Sequence, residues 1–210
     1  MSWIEEVSET GATGDVRAAY EESMRFSGHP KVPPIIKVFS LRPDLLKARV
    51  GFATAMTFGG AGLGRRSEEL IATSISGLLS CKFSGIEHAE FLRRDGNTDI
   101  DEVVKVATNW RTATLDKRER AMLEFSEKLT FTPGQLCEAD VEELGRVGFS
   151  DREILGIVLA AAYRNFITRV ADMLGVELTD SEQAPEEFLQ AFGVTREQAR
   201  TSMYDQVSAQ

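Results

Sequence analysis

Apolar residues recur along this chain every three to four positions, which is the spacing of a helix face, whereas the alternation typical of strands is missing nearly everywhere. Met122, Phe125 and Leu129 mark one such face, and a longer one runs through residues 151–174. The longer segment is rich in alanine and carries little charge in its first half, so we predict that it is the central buried helix. The pattern as a whole predicts an all-α fold.

Helix boundaries follow from local start and stop signals. A small polar residue followed three positions later by Glu forms a capping box, and three segments begin in this way, at Asp116, Asp140 and Ser150. Thr195, with Gln three positions on, predicts a similar start near the end of the chain. Further helices are predicted over residues 15–26, 43–57, 65–79, 81–94 and 99–110.

Two parts of the chain resemble each other faintly. LGRRSEELIATSIS and FSDREILGIVLAAA share a turn, an Arg and an apolar helix, which suggests two helical hairpins about a pseudo-twofold axis. We predict one helical domain over residues 1–178 and a C-terminal helical extension over 179–210 that packs on the surface or on a partner subunit. The glycine-rich stretch 59–64 is interpreted as a mobile connection near a pocket mouth, and Arg65 and Arg66 as solvated charges and ion pairs that flank a helix.

Composition narrows the class of protein. The 210 residues carry a net charge of −9 without a basic stripe, so we expect no nucleic-acid partner. No apolar run reaches the roughly 18 residues of a membrane span, and the start MSWIEEVSET lacks the features of a signal peptide. We therefore expect no membrane association, a cytoplasmic location and free thiols at Cys81 and Cys137. With two histidines and no closely paired ligand motif, neither a metal nor another cofactor is expected.

Candidate chemistry is concentrated in the segment EELIATSISGLLSCKFSGIEH, which holds Glu69, Cys81, Ser84 and His88. On one helix the last three fall at i, i+3 and i+7 and share a face. Glu69 would lie about 18 Å from Cys81 on an unbroken helix, so it joins them only if the chain folds back. The run Gly77–Ser80 offers that turn, with Ser80 as N-cap of a new helix.

Each candidate side chain has more than one interpretation. Cys81 in a first helical turn is expected to have a lowered pKa and a reactive thiolate, or else to be a buried small hydrophobe. Glu69 and His88 form either a proton-transfer pair or an ordinary polar contact. Ser84 could complete a hydrolase triad with them, but no nucleophile elbow lies beside it, and a bond back to the carbonyl four residues earlier is the alternative.

The motif region and two later stretches together resemble a known superfamily. With LDKRERAMLEFSEKLT and VEELGRVGFSDREILGIVLAAAYRNFITRVADMLGVEL, the chain resembles the carboxymuconolactone decarboxylase and AhpD-like alkylhydroperoxidase superfamily, in particular its peroxidase-related branch. The resemblance covers roughly residues 15–178. It implies an AhpD-like helical bundle and a homo-oligomer, a trimer or a hexamer.

The resemblance also assigns the motif residues. Peroxidase members carry a Glu, then Cys-x-x-Cys, then a His four residues after the second Cys, which attacks the hydroperoxide. Glu69 matches the acid, Cys81 the first cysteine and His88 the histidine, whereas Ser84 stands in place of the second cysteine. A serine hydroxyl cannot be oxidised to a sulfenic acid and recycled, so the two-cysteine cycle is not available here.

Three functions therefore stay open. The first is thiol-dependent reduction of a small hydroperoxide, of the antioxidant type and expected to be weak, with Cys81 as the reactive thiol and an external thiol as reductant. Glu69 and His88 would relay protons in that reaction. The second is acid–base chemistry by Glu69 and His88 on a small lactone or carboxylate, as the decarboxylase branch implies. The third is a non-catalytic member of the superfamily.

Overall fold

The computed structural model describes residues 2–28, 30–178 and 183–200. Within these residues the chain forms eleven α-helices, the single-turn 3-10 helices Trp110–Thr112 and Pro133–Gln135, and no strand, which confirms the all-α class. The α-helices are α1 (Gly14–Ser27), α2 (Pro34–Lys37), α3 (Pro43–Met56), α4 (Arg65–Leu78), α5 (Lys82–Arg94), α6 (Ile100–Asn109), α7 (Lys117–Phe131), α8 (Glu138–Arg146), α9 (Asp151–Met173), α10 (Glu186–Ala191) and α11 (Arg196–Arg200).

Capping residues set several of these helix starts. At Asp116 and Ser150 the predicted capping boxes are present, and each side chain accepts a hydrogen bond from the backbone N–H three residues later. The Thr195 start is also present. The prediction at Asp140 is wrong in position, because Cys137 is the N-cap of α8 and the Asp140 carboxylate accepts its N–H at 2.8 Å. Asp140 is thus the third residue of the helix.

Helix α4 lies at the centre of the bundle and packs against α5, α6, α7 and α9. Every residue from Glu68 to Ser76 is buried. Helix α9 covers Asp151–Met173, close to the predicted range, but it buries one side only, since Leu155 is 57% and Met173 is 70% exposed. The central buried helix is therefore α4 and not α9, because neighbouring helices enclose α4 on several sides.

Two apolar clusters fill the interior. The larger one surrounds α4 and joins it to α6, α7 and the first half of α9, with Leu70, Ile75 and Met122 among its fully buried members. The smaller one joins α1, α2 and α3 to the second half of α9 and includes Cys81 and Tyr163. A cleft opens between the helices of the two clusters.

The chain reverses direction between α4 and α5, as the motif spacing predicts. Ser80 takes a left-handed backbone with φ of 57°, and the Cys81 N–H bonds to the Ser76 carbonyl at 2.9 Å. Cys81 is the N-cap of α5, one residue later than predicted. Gly77 is required here, because a Cβ at this position would lie 1.8 Å from the Ala107 carbonyl oxygen on α6. The turn and this close approach bring α5 back along α4.

The described part of the C-terminal region packs into the larger cluster. Phe188 and Leu189 on α10 are almost fully buried, and Phe192 lies against α5. A Cβ added to Gly85 would come within 2.0 Å of the Phe192 ring, so only glycine allows this contact. Residues 179–182 and 201–210 of the predicted extension lie outside the described residues, and the division at residue 178 stays a prediction.

Apolar side chains remain exposed on the outer faces of α3 and α9, including Leu45, Phe52 and Phe166. Among the described helices, α9 is the one long and apolar enough to cross a membrane by length and composition, with a mean hydropathy of 1.4 over 18 residues. Core helices pass the same test, and α9 packs against α4 and α7. The exposed apolar side chains fit the predicted homo-oligomer, which stays a prediction.

Candidate functional site

The fold-back brings the predicted acid and imidazole into contact. Glu69 on α4 and His88 on α5 are 3% and 9% exposed, and Glu69 Oε2 lies 2.6 Å from His88 Nδ1. A carboxylate accepts hydrogen bonds only, so Nδ1 carries the proton of this contact. The bond fixes the orientation of the ring and leaves Nε2 as the nitrogen that is available to other groups.

Arg65 holds the other oxygen of the same carboxylate. Its guanidinium lies 2.7 Å from Glu69 Oε1 and 2.8 Å from an Asp95 carboxylate oxygen, and it sits over the rings of Phe58 and Phe91, at 4.3 and 4.9 Å from their centroids. The ion pairs predicted for Arg65 are therefore present, but its side chain is not solvated, because two carboxylates and two aromatic rings enclose it. Arg65 therefore fixes Glu69 from the side opposite the imidazole.

Side chains from α1 to α5 and from α9 line the cleft beside this pair. Its empty space, including the open mouth, is about 980 Å³. The walls are largely apolar and aromatic, and His88, Glu69 and Arg65 are among the polar residues that face it. The aromatic lining residues are Phe26, Phe58, Phe83, Phe91 and Tyr163. The acid–histidine pair thus borders a largely apolar cleft.

Cys81 lies apart from the cleft. Its side chain is fully buried in the smaller apolar cluster, and its Sγ is 3.9 Å from the Thr168 carbonyl oxygen on α9. Burial, with a smaller contribution from Asp172, raises the pKa of the Cys81 thiol to about 12, although a backbone hydrogen bond at Ser84 acts in the opposite direction. The prediction of a lowered pKa is wrong, because desolvation of the thiolate outweighs the helix N-terminus.

Ser84 is also buried and does not contact the acid or the imidazole in the described structure. Its Oγ lies 3.0 Å from Ser76 Oγ and accepts a hydrogen bond from Arg164 at 2.9 Å. Neither the triad with His88 nor the predicted bond to the carbonyl four residues earlier is among its contacts. The structure therefore brings two of the four candidate residues together, Glu69 and His88, and places Cys81 and Ser84 behind them.

A second carboxylate, Glu68, closes the glycine-rich stretch onto α4. Its two oxygens accept the backbone N–H groups of Gly59 and Ala61 at 2.6 and 2.9 Å. Desolvation raises the pKa of this buried carboxyl, while the two backbone hydrogen bonds act in the opposite direction. Two hydrogen bonds thus hold the glycine-rich stretch at the edge of the cleft, whereas the sequence analysis expected a mobile connection there.

Two further arginines, which sequence reasoning did not select, border the cleft. Arg164 on α9 is 7% exposed, and Arg49 on α3 has a buried Nε. The sequence did contain a signal for Arg164, because this charged residue stands inside the apolar run AAAYRNF, and arginine is rarely buried unless it has a partner.

In the described parts of the chain no group of three or more His, Cys, Asp and Glu side chains is arranged to hold a metal ion.

Comparison with known proteins identifies the fold. No family model and no curated protein matches the chain. An uncharacterised peroxidase-related protein from Ralstonia eutropha JMP134, with an alkylhydroperoxidase AhpD core, is 26% identical with a TM-score of 0.76, over 91% of this chain and 96% of that one. A second peroxidase-related protein, from Silicibacter sp. TM1040, is 25% identical with a TM-score of 0.75, over 86% and 93% of the two chains.

The debrominase Bmp8 shares the fold at 18% identity, with a TM-score of 0.68 over 89% of this chain and 96% of that one. The helical bundle thus has the AhpD-like fold. The similarity to the two peroxidase-related structures supports the AhpD-like superfamily, in agreement with the resemblance seen in the sequence.

Proposed function

We propose that this protein catalyses proton transfer on a small organic substrate in the cleft, with His88 as general acid and base. Glu69 orients the imidazole and stabilises the imidazolium that forms during the reaction, and Arg65 fixes Glu69. The observation that carries the proposal is the 2.6 Å contact between Glu69 Oε2 and His88 Nδ1 at the wall of a largely apolar cleft. Geometry of this kind is what general acid–base catalysis requires.

The reaction cycle uses one proton. Neutral His88 holds its proton on Nδ1 and takes a second one from the substrate at Nε2. The imidazolium that forms lies against the Glu69 carboxylate, which stabilises the positive charge. Nε2 then returns the proton to a different atom of the substrate or its product. The cycle needs no oxidant or reductant, and the buried thiol of Cys81 has no part in it.

Thiol-dependent reduction of a hydroperoxide is the second candidate. It is favoured by the similar structures, two of which are named as peroxidase-related proteins. In that reaction the Cys81 thiolate would attack the O–O bond, form a sulfenic acid and release an alcohol, and an external thiol would reduce the sulfenic acid with loss of water. Full burial and a pKa of about 12 for the Cys81 thiol weigh against this route.

Proton NMR in deuterated buffer tests the proposal on a panel of small lactone acids, hydroxy acids and keto acids. General acid–base turnover converts the substrate or exchanges its protons for deuterium. We expect His88→Gln and Glu69→Gln to lower the rate, the former by roughly 10²–10⁴-fold, because general acid–base groups contribute about that much. Cys81→Ala serves as the control and is expected to keep the wild-type rate.

A different pattern would select another function. Consumption of an alkyl hydroperoxide with dithiothreitol as donor, lost in Cys81→Ala and retained in Ser84→Ala, would replace proton transfer by the thiol route. If the wild-type protein turns over neither the acids nor the hydroperoxide and co-purifies with a partner, the non-catalytic alternative stands.

A further inference from the structure

Three buried polar atoms at the cleft lack a hydrogen-bond partner within the described residues. They are Arg49 Nε, Arg164 Nε and the Tyr163 hydroxyl, and all three residues line the cleft. Buried donors are nearly always satisfied in folded proteins, so an unsatisfied group calls for an explanation such as an absent ligand. All three belong to residues that line the cleft beside the acid–histidine pair, and the Tyr163 side chain also interacts with the Arg49 guanidinium and favours its charged form.

Arg164 is the most enclosed of these groups. One of its terminal nitrogens donates to Ser84 Oγ at 2.9 Å, which anchors the guanidinium from behind. The negative charges of Glu69 and Glu87 favour its charged form, and no ion pair to Arg164 is present among the described residues. Glu69 is already occupied by Arg65 and His88. Arg164 is therefore a buried cation with a neutral anchor.

Arg49 on α3 lines the same cleft. Its guanidinium lies 5.6 Å from the centroid of the Phe39 ring, and its charge repels that of Arg164. Burial lowers the pKa of both guanidinium groups, while the charge of Glu87 acts in the opposite direction on both. Arginine nevertheless stays charged at neutral pH. Two like charges thus converge where an anion would remove their repulsion.

The surroundings select the kind of anion. Planar guanidinium groups bind planar oxyanions in a bidentate manner, and the carboxylate is the commonest of these. Glu68, Glu69 and Glu87 line the same cleft, so a doubly charged phosphate would be repelled more strongly than a monoanion. The remaining walls are aromatic and aliphatic. A ligand with one carboxylate and an apolar body meets all of these conditions.

We infer that Arg49 and Arg164 form an anion subsite that binds the carboxylate of a small, otherwise apolar substrate, with the Tyr163 hydroxyl as a further donor. The inference rests on the proposed function and names its substrate class, a monocarboxylic acid. Anchoring the carboxylate at this end of the cleft orients the rest of the molecule relative to His88. Ser84 is then a positioning residue, because its hydroxyl holds the Arg164 guanidinium.

Calorimetric titration with benzoate and with benzamide tests the subsite at neutral pH and constant ionic strength. The two probes share a ring and differ in charge. We expect benzoate to bind at least tenfold more tightly than benzamide, and Arg49→Gln to weaken benzoate at least tenfold while leaving benzamide unchanged. Arg146→Gln, which alters an exposed arginine outside the cleft, is the matched control and keeps wild-type binding.

The outcomes separate this inference from the proposed function. Equal affinities for benzoate and benzamide, an unaffected Arg49→Gln variant, no binding of benzoate at millimolar concentration, or tighter binding of inorganic phosphate than of benzoate would each overturn the subsite. Because Arg164→Gln could fail to fold, Arg49→Gln carries the test. His88→Gln is expected to bind benzoate like wild type. A variant that loses turnover but still binds benzoate therefore tests the proton-transfer role of His88 and not the anion subsite.

Discussion

The relative alkylation rates of Cys81 and Cys137 test whether the Cys81 thiol is buried and unreactive. We expect iodoacetamide to alkylate exposed Cys137 in the native protein and to leave Cys81 unmodified. The Cys81 thiol has a pKa of about 12 against an ordinary value of 9.0, a difference of three units. Each unit lowers the thiolate fraction at neutral pH about tenfold, so the reactive form of Cys81 is about a thousandfold rarer than that of an ordinary cysteine.

Peptide mass spectrometry over a time course measures the two rates within one molecule, so Cys137 serves as the internal reference for Cys81. In guanidinium chloride both cysteines should react at similar rates, because the burial that protects Cys81 is then lost. Native alkylation of Cys81 within tenfold of the rate of Cys137 would refute the reasoning. Trapping of a sulfenic acid at Cys81 at low peroxide would do the same and would favour the thiol route.

Two further predictions concern stability. Gly85→Ala places a Cβ 2.0 Å from the Phe192 ring and should lower the free energy of unfolding by about 1–3 kcal/mol, measured by urea denaturation. Gly134→Ala is the control, because a Cβ there meets nothing within 4 Å. Equal urea midpoints for the two variants would contradict the packing of Phe192 on Gly85. The Cys81 thiol, with its pKa raised from 9.0 to about 12, stabilises the fold below pH 9 and loses this contribution between pH 9 and 12. Cys81→Ala should therefore lose less stability than wild type over that range in thermal melts, and parallel pH curves would speak against a buried thiol.

Local sequence patterns were enough to predict most helix boundaries and the contact between Glu69 and His88. Periodicity and capping reach over three or four residues, and they placed most helix starts within a residue or two. The Glu69–His88 contact followed from one turn between two helices, for which Gly77 and Ser80 gave a sequence signal. Asp140 shows the limit of such reasoning, because its carboxylate fits a cap and a third helical position equally well.

The environment of Cys81 could not be read from its own helix. The thiol is enclosed by α9, where its Thr168 contact lies 87 residues away in sequence, and the resulting desolvation exceeds the effect of the local helix terminus. Arg65 was misjudged for the same reason, since Asp95 is brought to it by tertiary folding over 30 residues. The burial and the pKa of a charged side chain or a thiol depend on its neighbours in space, and patterns in a single sequence do not specify these neighbours.

The contact between Phe192 and Gly85 has a consequence for biosynthesis. The ring that covers this side of α5 belongs to a segment about a hundred residues further along the chain. Because the ribosome makes the protein from its N-terminus, the helix that carries His88 is synthesised long before its cover. Final packing of that helix must wait until α10 leaves the exit tunnel, and until then its bare glycine face is open to chaperones and to neighbouring nascent chains.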